Sequence, residues 1–260
     1  MSEPLSLTGI FDSHAHYDDE RFDPDRDEVV SGLPRQGVAY VINAASDLGS
    51  AAAGLALAQT YPHVYCAAGV HPHEASKAPA DYLDRLKELL AQPKVMAVGE
   101  IGLDYHYDFS PRDTQLKIFE EQLILANELN LPVIIHDREA HEDTMRLLKQ
   151  YRPKGVVHCF SGSAQMAREV TALGLYVGFT GVITFKNAKK PLEALKAVPK
   201  ELLLMETDCP YMAPEPFRGR RCDSTLLPYV AQVMARELAM EPQEVVDLTA
   251  ANAKRLFGIS

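Results

Sequence analysis

The chain has 260 residues, 47% of them hydrophobic and 24% charged, with a formal net charge of −10. This is the composition of an ordinary soluble globular protein. No run reaches the ~18 apolar residues of a membrane span, and the acid excess argues against a broad DNA-coating surface. A nucleic-acid enzyme stays open, because metal ions in a cleft supply positive charge locally. Residues 1–10, MSEPLSLTGI, have no basic start followed by an apolar core, so no secretory signal is expected there. Cys66, Cys159, Cys209 and Cys222 are scattered without a Cys-x-x-Cys pair, which favours a reducing, cytoplasmic setting.

In chain order, short apolar or β-branched runs alternate with longer amphipathic segments. GIFDSHAH (9–16) reads as the first strand, followed by a helix that Pro34 ends or kinks early. VAYVINAA, VYCAAGVHP and VMAVGEIGLD follow as strands. Then TQLKIFEEQLILANELN repeats Leu116, Phe119, Leu123 and Ala126 at helical spacing, with Ser110 as the expected cap, Pro111 at the first helical position and Asp113 near the N-terminus. PVIIHDR, KGVVHCF, YVGFTG and LLLMETDCP complete eight strand candidates, and PQEVVDLTAANAKRLFG forms a last helix. Strands alternating with helices imply parallel pairing. Eight such units in roughly 250 residues fit one α/β domain spanning 1–260, a closed (β/α)8 TIM barrel. An open doubly wound sheet is disfavoured, because no glycine-rich phosphate loop follows the first strand.

Metal-competent side chains sit at the C-terminal ends of these strands: His14 and His16 on the first, Glu100 on the fourth, His136 on the fifth, His158 on the sixth and Asp208 on the eighth. Each alone has a structural explanation, but a barrel gathers strand ends at one rim, where active sites of this fold lie. Positions 14 and 16 share a face, as do 206 and 208. Glu206 then lies a layer deeper and either orients a ligand or water or is a hydrogen-bonded structural carboxylate. Cys159 and Cys209, each following a candidate ligand, should point outward as small buried residues.

The segments FDSHAH, GVHPH, GEIGLDYHYDFSPRDTQ, PVIIHDREA, GVVHCFSGS and LLLMETDCPYMAP, in this order and nearly end to end, resemble the TatD family of metal-dependent deoxyribonucleases in the amidohydrolase superfamily. The resemblance implies a metal-bearing (β/α)8 barrel. It would put His14, His16, Glu100 and Asp208 at one divalent ion and Glu100, His136 and His158 at a second, with Glu100 bridging. Superfamily relatives often bridge with a carboxylated lysine; here the matching residue is a glutamate. Nitrogen and carboxylate donors without thiolate suit Zn2+, Mn2+, iron or, more weakly, Mg2+. Two ions about 4 Å apart activate a bridging water and polarise a phosphoryl oxygen. Glu100 and Asp208 are the catalytic carboxylates, Asp208 as general base.

Phosphate also needs cations outside the ligand set. Arg138 projects from the rim two residues after His136, and Arg218, Arg220 and Arg221 lie on the loop after the last strand. Arginine's planar fork suits phosphate, although a solvated basic loop accounts equally well for Arg220 and Arg221. His71 and His73 share the mouth and either contact substrate or orient the ligand shell, whereas His63, His106 and His141 read as surface or loop residues. Tyr105, Tyr107 and Phe185 are base-stacking candidates. One departure stands out: the family commonly has an Arg/Lys-Gly-x-x-Asn segment with a nearby proline after the last strand, where this chain has Cys222-Asp223-Ser224. Cysteine cannot replace the amide hydrogen bonds of asparagine, which leaves the bracing of that loop open.

The leading expectation is a divalent-metal phosphodiesterase, with two ions per chain, that trims single-stranded DNA from 3′ ends. It needs no membrane and no obligate protein partner, and a monomer is the default. The alternative is hydrolysis of an amide, lactone or phosphomonoester on the same platform, since fold does not fix substrate. A non-catalytic metal-binding protein is the third class.

Overall fold

The computed structural model describes residues 6–260, so MSEPL, read above for a leader, lies outside the described residues. Eight parallel strands form one sheet in sequence order: β1 (Ile10–Ala15), β2 (Val38–Asn43), β3 (Val64–Ala68), β4 (Val95–Asp104), β5 (Val133–Arg138), β6 (Gly155–Val157), β7 (Tyr176–Phe179) and β8 (Leu203–Met205). Around them run α1 (Arg26–Gly32), α2 (Leu48–Thr60), α3 (Tyr82–Leu90), α4 (Arg112–Leu129), α5 (His141–Tyr151), α6 (Ala164–Ala172), α7 (Lys189–Ala197), α8 (Leu227–Leu238) and α9 (Pro242–Phe257). The amide of His16 donates to the Cys209 carbonyl at 2.8 Å, and that of Asp208 to the His14 carbonyl at 2.9 Å. These bonds join the end of β1 to the segment after β8 and nearly close the sheet into the expected barrel.

Every strand sends one side chain to an inner cluster: Phe11, Ile42, Ala67, Ala97, Ile134, Val156, Tyr176 and Leu204. Ala250, Ala253 and Phe257 of α9 pack against it, with Phe257 stacked on Phe11 at 6.2 Å between centroids. The opposite strand faces bury Ile10, Val41, Val98, Ile135 and Val177 in the outer core with the helices. Full burial of such a side chain contributes about 1.5–3 kcal/mol.

Pro34 acts as expected. α1 stops at Gly32 and the chain tightens into a 3-10 turn over Leu33–Gln36. The cap of α4 is different: Pro111 occupies the N-cap position, and the buried Ser110 hydroxyl instead accepts from the Ser76 amide at 3.0 Å and donates to the His73 carbonyl at 3.1 Å. Ser110 thus ties the 3-10 segment Pro72–Lys77 to the start of α4.

Candidate metal centre

Simple alternation carries two of the strand ends to the mouth. Ile134 and His136 share the inner face of β5, and Val156 sets the same even parity for His158. Asp208 lies three residues beyond β8 at φ +60 and is placed instead by the bond of its amide to the His14 carbonyl. On β1 and β4 the parity changes. Phe11 and Ala97 point inward at odd positions, yet His14 and Glu100 also reach the mouth, because the pairing register shifts between Asp12 and Ala15 and between Val98 and Ile101. Gly102, at φ +145, lets β4 pass close to β5, since a Cβ there would strike the His136 carbonyl.

The six candidate ligands converge. His14 Nε2 lies 3.0 Å from His16 Nε2, 3.3 Å from Glu100 Oε2 and 3.5 Å from Asp208 Oδ1. His16 Nε2 is 3.6 Å from Glu100 Oε2 and 3.3 Å from Asp208 Oδ1. The other carboxylate oxygen, Glu100 Oε1, faces His136 Nδ1 at 2.8 Å and His158 Nε2 at 2.7 Å, and these two nitrogens are 3.4 Å apart. The His14 and His158 rings stack at 3.9 Å, joining the two lobes. Donors bound to one ion at about 2.0–2.1 Å stand about 2.9 Å apart in an octahedron and about 3.3 Å in a tetrahedron. Both lobes have those separations, with Glu100 turned to each.

The tautomers make the stronger test of fit. A carbonyl only accepts, so His16 Nδ1, 3.0 Å from the Ala44 carbonyl, carries the ring proton and its Nε2 lone pair faces inward. His136 Nε2 likewise donates to Asp104 Oδ2 at 3.1 Å, which leaves the Nδ1 lone pair aimed at Glu100 Oε1. Between the neutral ring and the carboxylate, two acceptors facing each other at hydrogen-bond distance need positive charge between them, supplied by a second ring proton or by a metal ion. Burial opposes charge on these rings, but the bonds to Asp208 lift His16 to about 9, and those to Asp104 and Glu100 lift His136 to about 10. Glu100 is pushed far below the usual carboxylate range: burial opposes this, and His158, His71 and His14 outweigh it. The donor set fits divalent metal.

His71 and His73 have supporting positions. His71 Nδ1 accepts from the His73 amide at 3.1 Å, so its Nε2 carries the proton and faces Glu100 Oε1 at 3.4 Å. Burial lowers His71 to about 4, keeping it neutral, a donor that steadies Glu100. His73 Nε2 meets Asp104 Oδ2 at 2.8 Å. Asp104 is therefore shared by His73 and His136, a role that sequence reasoning missed. Its signal was its even spacing from Glu100 along β4.

Glu206 is fully buried beneath the centre, with burial raising it to about 7. It accepts from Ser13 Oγ and from the Cys159 amide, next to His158, and fills space that a Cβ on Gly178 would occupy. Cys159 does not turn outward. β6 ends at Val157, Cys159 has φ +42, and its thiol lies at the mouth, 3.5 Å from the Thr180 hydroxyl. Cys209 is buried in the outer core as expected.

The arginines separate. Arg138, half-buried at the end of β5, sets its guanidinium 5.1 Å from the Tyr107 ring centre. Arg218 is exposed and covers the Phe185 ring at 4.3 Å. Arg221 forks onto Asp25 at 2.6 Å and serves the structure of its loop. Tyr105 is no open platform, since Arg112 covers it at 4.2 Å and Asp143 accepts its hydroxyl proton at 2.8 Å. The Cys222-Asp223-Ser224 loop has its own brace: the buried Ser224 hydroxyl donates to Asp12 Oδ2 at 2.6 Å and meets the Tyr17 hydroxyl at 2.7 Å.

An eight-stranded parallel barrel with histidines and carboxylates gathered at its C-terminal rim defines a metal-dependent hydrolase scaffold. The family model described as TatD related DNase matches residues 11–258, and the chain belongs to this family. It is 42% identical to the uncharacterized metal-dependent hydrolase YabD of Bacillus subtilis (strain 168), covering 96% of this chain and all of that one. It is 36% identical to the 3'-5' ssDNA/RNA exonuclease TatD of Escherichia coli (strain K12), over 96% of this chain and 100% of that one. Among solved structures, YJJV, a TatD homolog from Escherichia coli k12, superposes with a TM-score of 0.91 at 33% identity, covering 97% of this chain and 99% of that one.

Proposed function

We propose that this chain is a divalent-metal-dependent phosphodiesterase that removes nucleotides from the 3′ ends of single-stranded DNA. The observation that carries the reading is Glu100, whose two oxygens face separate sets of histidines. His14, His16, Glu100 and Asp208 would hold one ion, and Glu100, His136 and His158 the other. Two ions of Mg2+, Mn2+ or Zn2+ held by these residues would supply Lewis acidity toward a phosphoryl oxygen and would lower the pKa of water toward neutrality. Asp208 accepts the proton of the attacking water: burial opposes its ionisation, but the bond to His16 and the charges of His14 and His158 keep it below its ordinary range. Arg138 neutralises phosphate charge at the rim.

Support for a nucleic-acid substrate comes from relatives named as single-stranded DNA and RNA exonucleases. One chain supplies every donor, so the reading takes residues 1–260 as one unit and needs no second copy. Four unpaired cysteines support a cytoplasmic setting, and no helix of the described residues is long and apolar enough to cross a membrane. The test is cleavage of 3′-labelled and 5′-labelled single strands with each metal, beside lactone, dipeptide and phosphomonoester panels. Release of label from the 3′ end first, abolished in His136→Ala, is expected. Turnover of a lactone with no oligonucleotide cleavage under any metal rejects the reading.

A further inference from the structure

We propose that Tyr107 and Phe109 form a base-stacking shelf for the nucleobase beside the scissile linkage, on the His136 side of the centre. The proposal rests on the nuclease reading and deepens it. Grouped large apolar side chains exposed on a globular surface mark binding sites. Tyr107 is 48% and Phe109 65% exposed, and their rings stack with centroids 5.2 Å apart and 24° between planes.

The shelf is contiguous with the centre. The His73 ring sets its edge against Tyr107 at 5.5 Å and against Phe109 at 4.8 Å, and lies 6.1 Å from the His136 ring. Asp104 binds His73 and His136 together. The shelf is also held in place before any ligand arrives. Asp104 Oδ1 accepts the amides of His106 and Tyr107 at 3.0 and 2.9 Å, and Arg112 forks onto Asp108 with bonds of 2.7 and 2.9 Å. Rigid aromatic rings lose little entropy on binding.

The surroundings select the occupant. Arg138 places positive charge over Tyr107, where a phosphate flanking a stacked base would run, in a chain of net charge −10. A nucleic-acid strand offers both an aromatic face and an adjoining anion, whereas a lactone or small phosphomonoester lacks the face. The base must be unpaired and unstacked to use the shelf. Across the mouth, Tyr211 is also exposed, but Arg21 covers its ring at 4.0 Å. Arg138 stands farther from Tyr107, at 5.1 Å, and among the described residues no cation lies over Phe109, the more exposed ring of the pair, which offers the open face for a base.

The experiment uses full-length protein with Mn2+ and a single strand carrying 2-aminopurine as its 3′-terminal base and a phosphorothioate at the last linkage. Wild-type protein is expected to quench the fluorophore. The Tyr107→Ala/Phe109→Ala variant loses the quench and binds roughly 5- to 150-fold more weakly, the equivalent of about 1–3 kcal/mol per stacked base. Phe109→Trp retains both, and an abasic 3′ terminus removes the difference between wild type and variant. A double variant within twofold of wild type in quench and affinity, while wild type cleaves the normal strand, overturns the shelf alone. Wild-type protein that neither binds nor cleaves any oligonucleotide with Mg2+, Mn2+ or Zn2+ overturns the nuclease reading and the shelf together.

Discussion

Asp104→Asn isolates the contribution of a residue that touches the centre only through its neighbours. Asp104 Oδ1 accepts two backbone amides and Oδ2 accepts from His73 and His136. Asparagine keeps the first pair of bonds only by turning its carbonyl toward them, which points the amide nitrogen at the two imidazoles. His136 Nε2 must then accept, so the ring proton moves to Nδ1. There it meets Glu100 Oε1, 2.8 Å away in the present structure, in an ordinary hydrogen bond that removes the lone pair an ion needs. Loss of a carboxylate behind a metal-binding histidine costs about 10- to 100-fold in metal affinity, or about 1.4–2.8 kcal/mol. Calorimetric titration with Zn2+ or Mn2+, backed by elemental analysis after dialysis, should resolve one weakened ion and one unchanged ion, the latter among His14, His16 and Asp208. Two affinities within twofold of wild type would refute the tautomer argument.

Three other outcomes follow from the same geometry. Glu100→Gln keeps one carbonyl oxygen for two lobes, so bound metal should fall to one ion or none and turnover by at least about 100-fold; unchanged metal content contradicts the bridge. Chelator-treated protein should melt lower than protein with metal at about 100 times its dissociation constant: about 2.7 kcal/mol of stability is lost for each ion, about 5 kcal/mol for two, or roughly 10–20 °C, as read by calorimetry. Ser224→Ala removes a donor from Asp12, a carboxyl that burial already raises to about 6. It should cost about 1–3 kcal/mol of stability in urea unfolding, and a loss below about 0.3 kcal/mol would mean the brace lies elsewhere.

The barrel was legible because strand and helix periods differ and the eight apolar runs are separated by amphipathic segments. Inward parity carried His136 and His158 without further information, since Ile134 and Val156 precede each by two residues. The shared face of His14 and His16 held, but on β1 and β4 register shifts bring His14 and Glu100 to the mouth out of phase with the inward Phe11 and Ala97, and a shift of register has no signature in hydrophobic alternation. The outward reading of Cys159 failed for a related reason, because extended geometry had ended two residues before it. Asp104 and Phe109 went unread because their roles arise from contacts across loops: Asp104 with His73, and Phe109 with Tyr107 and His73. Ser110 illustrates the same limit, a good cap in sequence that tertiary contacts drew elsewhere.

A carbamate bridge exists only after carbon dioxide has added to a lysine amine, so enzymes that use one depend on dissolved gas for their assembly. Glu100 arrives from the ribosome already anionic, with both oxygens in place for their imidazole neighbours. Stripped protein should therefore regain its ions in degassed, bicarbonate-free buffer as fast as in air, leaving the supply of metal as the one chemical requirement for maturation.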